Sequence, residues 1–315
     1  MCITFVYVGD GSTPYKYIIG ANRDEFMARP CKPAHAWHKP AEGHKFTFAG
    51  QDLTAKGTWL GVRAELLRTG AEQSLLGPKP KPSDSEASFR LGLVTNVREK
   101  AAPPSEAAKL RSRGDLITHF LSDKNSLDAH ATSAELAKQG ESYAGYNLLL
   151  GDKEGLYFVS NRNMSSPSPV HLQPGVHGMS NGTLDDNWPK VVSGKQMFAD
   201  VVEHHISKGG RMAVSGEGLL IDGIFRIMAD TTPHGVDKYT GAFDRKVEHH
   251  FSSIYVKQIS AHPNASAPSW YGTRSTAVIL VREDGTVSYS EKYTPGTQDD
   301  DWIAERYELI YNPSA

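Results

Sequence analysis

The sequence predicts an α+β fold in which antiparallel sheets are covered by separate helices. Strand-like runs open the chain, a helix-rich middle follows, and further strand-like runs come near its end. The short turns between successive strand-like runs are typical of hairpins, whose strands pair in antiparallel fashion. Helices that are segregated from strands along a chain favour an α+β fold over an alternating α/β fold. With no internal repeat and no linker between two cores, we expect one domain over residues 1–315.

The first hairpin is predicted at the amino terminus. Residues 2–8 are rich in β-branched and aromatic side chains, which favour strands. Turn residues follow at 10–12, and residues 15–21 read as the returning strand. The returning strand ends in Asn22-Arg23-Asp24-Glu25, so the hairpin brings this polar motif beside Cys2.

The region after the motif is predicted to alternate loops with short strands. Residues 26–45 contain several prolines, which disfavour a helix or a central strand, so we expect a structured loop there. Short strands are predicted over 58–62 and 91–96. The Pro-, Lys- and Ser-rich stretch between them cannot form a core, which predicts a flexible insertion at about 66–88.

Amphipathic helices are predicted in the middle of the chain. The first begins near Pro103 with Ser105 as its cap, and a weaker one covers residues 127–138. A longer helix begins at Pro189, a residue that suits an early helical position, and another covers residues 212–228. The apolar residues of the first helix that recur at helical spacing are Leu110, Leu116, Ile117, Phe120 and Leu121.

Further strands are predicted around turn residues. Residues 147–150 and 156–159 form one hairpin, and residues 275–282 and 286–293 form another. Residues 175–180 read as a single strand.

Composition excludes several classes of function. With 34 basic and 36 acidic residues, the formal charge of −2 argues against general binding to nucleic-acid phosphates. Two cysteines make neither a disulfide framework nor a metal motif, and they fit a reducing compartment. No stretch approaches the roughly 18–20 apolar residues of a membrane span, and no leader is recognisable at the amino terminus. We therefore expect a cytoplasmic protein.

The 13 histidines do not indicate a metal site. No cysteine or carboxylate stands at ligand spacing from His35, His38, His44 or the pairs His204-His205 and His249-His250. Adjacent histidines on a helix do not share a face. We expect no metal and no required cofactor. A single axial His or Cys can hold haem, so haem remains open as a bound ligand.

Cys2 is the candidate nucleophile. Removal of Met1 would leave a thiol and a free α-amine on one residue, with ordinary pKa values of about 8.5 and about 7.7–8.0. The amine could then act as the base for its own thiol. The alternative is that Cys2 is simply a small residue in a strand, and that the polar motif merely ends the next strand.

These features resemble the NRDE family, also called the transport and Golgi organisation 2 family. More distantly, the start of the chain is similar to N-terminal-nucleophile hydrolases with Cys, such as bile-salt hydrolases. The insertion at about 66–88 departs from the family pattern. Besides Cys2 and the polar motif, the segments that resemble the family are Gly57–Val62, Leu93–Asn96, Gly145–Leu149, Gly178–Gly182 and Trp188–Lys190.

The resemblance implies a fold and two functions. The implied fold is the four-layer α-β-β-α sandwich of N-terminal-nucleophile hydrolases. The first implied function is binding and trafficking of a ligand, either haem mobilised from sites of synthesis or storage, or acyl-CoA in lipid metabolism, with association with mitochondria or the Golgi. The alternative is a Cys2-dependent amidohydrolase acting on an amide or thioester. We favour binding, because Arg23 directly precedes Asp24, unlike the spaced Arg-Asn-x-Asp of bile-salt hydrolases.

The resemblance also implies the site residues. For ligand binding these are Asn22, Arg23, Asp24 and Glu25, with Arg23 able to hold an anionic group in its guanidinium fork. We expect Glu25 to face solvent or to pair with a lysine. For catalysis they are Cys2, Asp24, Asn96, Asn181 and Arg274. The two asparagines could donate to an oxyanion, although asparagine at a strand end is also common turn chemistry.

Overall fold

The computed structural model describes residues 2–37, 46–69, 89–100, 103–122, 128–162, 168–207, 216–235, 244–260, 269–295 and 302–310. The strands are β1 (Cys2–Val8), β2 (Tyr15–Phe26), β3 (Cys31–Ala36), β4 (Phe46–Asp52), β5 (Leu60–Thr69), β6 (Arg90–Asn96), β7 (Tyr146–Gly151), β8 (Leu156–Ser160), β9 (Val170–His171), β10 (Gly175–Met179), β11 (Ile259–Ser260), β12 (Trp270–Arg282), β13 (Thr286–Tyr293) and β14 (Ile303–Ile310). The α-helices are α1 (Pro104–Ala107), α2 (Gly114–Ser122), α3 (Ala129–Lys138), α4 (Pro189–Ser207), α5 (Glu217–Met228) and α6 (Arg245–His250).

The strands form two antiparallel halves that are joined edge to edge. The first sheet has the order β10-β1-β2-β12-β13-β14, and β11 pairs with one end of β12. The second sheet runs β5-β6-β7-β8-β9, with β4 and then β3 on the other side of β5. The end of β5 pairs with β14 and joins the two sheets. The predicted α+β fold with antiparallel sheets is therefore confirmed.

The alternation of side chains along β1 and β2 separates two cores. Val6 and Ile19 lie in a cluster shared by both sheets, together with residues such as Val62 and Leu93 of the second sheet. Phe5 points to the other face, where it packs against α4 and α5. This is the period of two that a strand imposes, and it leaves the inner faces of the sheets against each other. Helices α2 and α3 cover the outer face of the second sheet.

The predicted loop over residues 26–45 is wrong in part, because Cys31–Ala36 form β3. Among the described strands it pairs with β4 alone, and its register shifts between Lys32 and His35. Pro33 lies within that irregular part of the strand. Proline is tolerated there because an edge strand or a bulge does not need every backbone N–H. Residues 38–45 lie outside the described ranges.

The first residues of the predicted insertion belong to a strand. Strand β5 continues through Thr69, and its last residues pair with β14, so residues 66–69 belong to the sheet. The rest of the predicted insertion, residues 70–88, lies outside the described part of the chain.

The predicted helix that begins near Pro103 is divided into α1 and α2. Between them, Arg111 donates its backbone N–H to Ser142 O at 2.9 Å and forms an isolated bridge with Tyr143. Leu110 therefore lies outside any helix, and Ser105 lies within α1 rather than at its cap. The apolar face predicted from Leu116 to Leu121 is buried as expected.

Candidate functional site

The amino-terminal end of β1 opens on a cleft between the two sheets. From the first sheet the cleft is lined by Cys2, Arg23 and Ser275, and from the second by Trp59 and Thr95, among others. The cleft and its solvent-facing mouth enclose about 280 Å³ of empty space, but only about 10 Å³ of this can hold the centre of a water molecule. The cleft therefore joins the predicted nucleophile and the predicted arginine in one site.

Cys2 is held by its main chain on both sides. It pairs with Arg23 in the β1–β2 ladder, so the predicted hairpin brings these two residues together. The backbone N–H of Cys2 donates to Asn181 Oδ1 at 3.2 Å, and Ser180 Oγ donates to Cys2 O at 2.8 Å. Burial raises the pKa of the Cys2 thiol, and the nearby Arg23 guanidinium acts in the opposite direction.

A hydrogen bond links the two asparagines predicted for catalysis, but only the side chain of Asn181 contacts Cys2. Asn181 is buried, and its Nδ2 donates to the main-chain oxygen of Asn96 at 2.6 Å. The Asn96 side chain itself is exposed. Thr95 Oγ1 adds a further bond by donating to Ser180 O at 2.8 Å. Asn181 is therefore fixed directly against Cys2, whereas Asn96 supports it through the backbone.

Arg23 lies against the wall of the cleft and is only 5% exposed. Its guanidinium stacks over the Trp59 ring at 4.0 Å from the ring centre, an arrangement that favours a cation. Gly50 makes room for that ring, because a Cβ at this position would collide with it. Nη2 of Arg23 lies 3.4 Å from Asp52 Oδ2. Nη1 is buried and has no hydrogen-bond partner among the described residues.

Asn22 and Asp24 point to the opposite face of the sheet from Arg23, because side chains alternate along β2. The Asn22 amide donates to Met228 O at 2.8 Å and to Ile254 O at 3.0 Å, so it ties β2 to the helical layer. Asp24 Oδ1 accepts from Thr273 Oγ1 at 2.6 Å. Burial raises the pKa of Asp24, which the hydrogen bond from Thr273 and the nearby cations partly offset.

Glu25 belongs to an ion network at the mouth of the cleft. Its carboxylate lies 3.7 Å from both Arg23 and Arg29, so the expectation that it would face solvent or pair with a lysine is wrong. Arg29 Nε also donates to Asp52 Oδ2 at 2.5 Å. Two carboxylates are thus shared by two arginines, which fixes the Arg23 side chain in place.

Arg274 occupies a bulge beside the motif. The β2–β12 register shifts between Thr273 and Ser275, which leaves Arg274 as the extra residue. Its Nη1 donates to the main-chain oxygens of Phe26 and Arg29. Bulges often re-aim side chains next to functional sites. Here the bulge turns Arg274 onto the turn that follows the polar motif.

Lys190 is a candidate site residue that the sequence analysis did not identify. It lies at the start of α4, is only 2% exposed, and donates from Nζ to Phe251 O at 3.0 Å. Burial lowers its pKa to about 8, and the charges of Asp24 and Cys2 act in the opposite direction. The only signal in the sequence was its place in the Trp188–Lys190 segment that resembles the family.

Within the described ranges, no group of three or more His, Cys, Asp or Glu side chains is arranged to hold a metal ion. None of the described helices combines the length and the apolar character needed to cross a bilayer.

Comparisons with known proteins find relatives that match nearly the whole chain. Residues 1–295 match the family described as Transport and Golgi organisation 2. The chain is 27% identical to the Transport and Golgi organization protein 2 homolog of Homo sapiens, over 98% of this chain and 99% of that protein. It is 26% identical to the homolog of Mus musculus over the same shares, and 25% identical to the Drosophila melanogaster protein over 65% of this chain and 66% of that one. The chain therefore belongs to the Transport and Golgi organisation 2 family.

Proposed function

We propose that this protein is a ligand-binding and trafficking protein whose cleft holds the anionic end of a small molecule, with Arg23 as the anchor. The ligands implied by the family resemblance are haem, through its propionates, and acyl-CoA, through a phosphate. The relatives carry names that refer to transport and Golgi organisation. We extend the proposal to a cytoplasmic protein that associates with mitochondria or the Golgi and needs neither a metal nor a resident cofactor.

The observation that carries this proposal is the unpartnered Nη1 of Arg23. One side of the guanidinium is fixed by Trp59 and Asp52, while Nη1 is buried in the wall of the cleft without a partner among the described residues. Leaving a buried donor unsatisfied costs about 1–3 kcal/mol, and more when the group is charged. An anionic ligand group would satisfy that donor by a charge-assisted bond.

The size of the cleft limits what enters it. The room open to the centre of a water-sized group is about 10 Å³, far below the range of about 300–1,000 Å³ that encloses a drug-sized ligand. We therefore propose that only the anionic end of the ligand enters the cleft, and that a haem ring or a CoA nucleotide stays outside it.

Calorimetric titration of purified protein with haem and with a long-chain acyl-CoA tests this proposal. Replacing Arg23 by glutamine should weaken binding of the true ligand by about ten- to a hundredfold, the loss of one charge-assisted contact. Arg226 is exposed on α5, so Arg226→Gln is the matched control and should bind as the unaltered protein does. If the Arg23→Gln protein binds both haem and acyl-CoA as tightly as the unaltered protein does, the proposal is contradicted.

A second candidate function is supported by the bond between Asn181 and Cys2. In an N-terminal-nucleophile hydrolase the Cys2 sulfur would attack the carbonyl carbon of an amide or thioester. The amine or thiol would leave with a proton, and water would then cleave the acyl-Cys2 bond. A fixed main chain at Cys2 and a neighbouring amide suit this chemistry. Asp24 and Arg274 would act as supporting groups.

Catalysis of this kind requires a free amine on Cys2. The intact mass of the purified protein measures this directly, because removal of Met1 lowers the mass by one methionine residue. A retained Met1 blocks the α-amine and rules out the second candidate. The first candidate does not depend on this result.

The four-layer sandwich of N-terminal-nucleophile hydrolases is part of the same proposal. Its support is the order of packing, in which α4 and α5 cover the first sheet, the two sheets share a core, and α2 and α3 cover the second sheet.

A further inference from the structure

A second cavity lies on the helical side of the first sheet, between strand β10 and the first half of α4. About 260 Å³ of this cavity can hold the centre of a water molecule, against about 10 Å³ in the cleft at Cys2. A cavity of about 150 Å³ is already enough for a six-carbon ring. The second cavity therefore has room for a small molecule.

Part of the cavity lining is apolar. Val176 of β10 and Val191, Val192 and Ala199 of α4 all contribute to it. Val176 and Val191 belong to the core between the first sheet and the helices, whereas Val192 is 53% exposed. The apolar surface of Val192 is thus left in contact with water, and covering it with the apolar chain of a ligand would be favourable.

Asp185 contributes a carboxylate to the lining, but the protein itself engages both of its oxygens. Oδ2 lies 2.9 Å from His177 Nδ1, while Oδ1 accepts from Lys195 Nζ at 2.8 Å and from the backbone N–H of Gly178 at 2.9 Å. Lys195 also lines the cavity, so its charge and that of Asp185 balance each other there. His177 is outside the lining. This pair therefore supplies polar walls rather than a charge for a ligand.

Asp186 is the carboxylate of the lining that has no such cation. It is half-buried, its Oδ2 accepts from the backbone N–H of Thr183 at 3.2 Å, and it forms no ion pair with any residue that the structure describes. The lining thus contains two carboxylates and one ammonium group, which gives it a net charge of −1. A positively charged donor would balance that charge through a charge-assisted hydrogen bond.

We propose that this cavity is a second binding site, which takes a small primary amine. The ammonium group of the ligand pairs with Asp186, and its short apolar chain lies along Val176, Val191 and Val192. The inference does not depend on the proposed function, because the cavity and the cleft share no lining residue. The alternative role for Asp186 is to stabilise the start of α4 through the helix dipole. That role would affect stability without selecting a charged ligand over a neutral one.

Three probes with the same six-carbon chain test this inference, namely hexylammonium, hexanol and hexanoate. Each is titrated at pH 7 into isotope-labelled protein, and the shifts of the backbone N–H signals of residues 176 and 191–199 locate the binding. Hexylammonium should bind more tightly than hexanol, and hexanoate most weakly. Asp186→Asn should weaken hexylammonium binding by about three- to tenfold and leave hexanol binding unchanged, so that the preference for the cation disappears.

Matched variants complete the test. Glu203 is an exposed carboxylate further along α4, so Glu203→Gln should bind every probe as the unaltered protein does. Ala199→Leu fills the cavity and should block hexylammonium and hexanol alike, which also provides a test if Asp186→Asn does not fold. Arg23→Gln should bind hexylammonium normally, so failure of the proposed function leaves this inference standing.

Four results would each overturn the inference. They are binding of hexanol or hexanoate as tight as that of hexylammonium, a preference for the cation that survives in Asp186→Asn, normal hexylammonium binding by Ala199→Leu, and an equal loss of affinity in Glu203→Gln and Asp186→Asn.

Discussion

The backbone N–H of Cys2 donates to the side-chain oxygen of Asn181 at 3.2 Å, although the two residues are 179 positions apart in the chain. Asn181 directly follows Ser180, whose hydroxyl donates to Cys2 O at 2.8 Å. The first residue of β1 is thus fixed from the segment that follows β10. Whichever function the cleft has, this contact sets where the Cys2 side chain lies.

Replacing Asn181 by alanine should therefore destabilise the protein. The change removes the bond to Cys2 and the bond to Asn96 O, and a net loss of about 1–3 kcal/mol is expected for two buried hydrogen bonds. Urea unfolding measures this loss. Asn96→Ala is the control, because the Asn96 side chain is exposed and its main-chain oxygen remains, so a change within about 0.5 kcal/mol is expected. Equal losses in both variants would show that Asn181 does not fix Cys2.

Glu291 should make stability depend on pH below neutrality. It is only 1% exposed, its Oε2 accepts from the backbone N–H of Ala34 at 2.7 Å, and burial raises its pKa from 4.5 to about 7. Between these two pH values the folded protein keeps a proton on Glu291 that the unfolded chain has lost. This group therefore lowers the free energy of unfolding as pH rises, with a slope of up to about 1.4 kcal/mol per pH unit.

Glu291→Gln should remove this slope, because glutamine does not titrate and its side-chain oxygen still accepts from Ala34. The measurement is urea unfolding of both proteins at several pH values from 4.5 to 7. Parallel pH profiles for the two proteins would contradict the prediction.

Lys190 should produce the opposite dependence in alkali. Its pKa falls from 10.5 to about 8 on folding, so between these values the unfolded chain binds the extra proton. The contribution of Lys190 to the free energy of unfolding therefore rises with pH across that window, again by up to about 1.4 kcal/mol per pH unit. The Lys190→Met protein should lack this rise when both proteins are unfolded in urea between pH 8 and 10. If the Lys190→Met protein keeps the rise in its free energy of unfolding, the rise comes from another titrating group.

The hairpin and the polar motif could be predicted because their signals are local. Residues 2–8 and 15–21 have strand composition with turn residues between them, and the structure pairs Cys2 with Arg23. Strand β14 was not predicted, because Glu305, Arg306 and Glu308 interrupt any apolar alternation. Its strand conformation depends on pairing with β13 and β5, which are distant in the sequence.

The charged surroundings of the site could not be predicted for the same reason. Lys190 stands at the start of a helix, where a basic side chain is usually solvated. Only the packing of α4 against the first sheet buries it near Asp24. The sequence likewise placed Asn22 and Arg23 together in one motif, but strand alternation sends the Asn22 side chain to the helical layer and that of Arg23 to the cleft.

The most direct test of the central claim compares Cys2→Ser with Arg23→Gln in one experiment. Haem and acyl-CoA affinity would be measured by calorimetry beside acyl-amide and thioester hydrolysis for both variants and the unaltered protein. If the cleft binds an anionic ligand end, Cys2→Ser binds nearly normally, and Arg23→Gln loses about ten- to a hundredfold in affinity. Hydrolysis by the unaltered protein that disappears in Cys2→Ser, with ligand affinity unchanged in Arg23→Gln, would contradict this account.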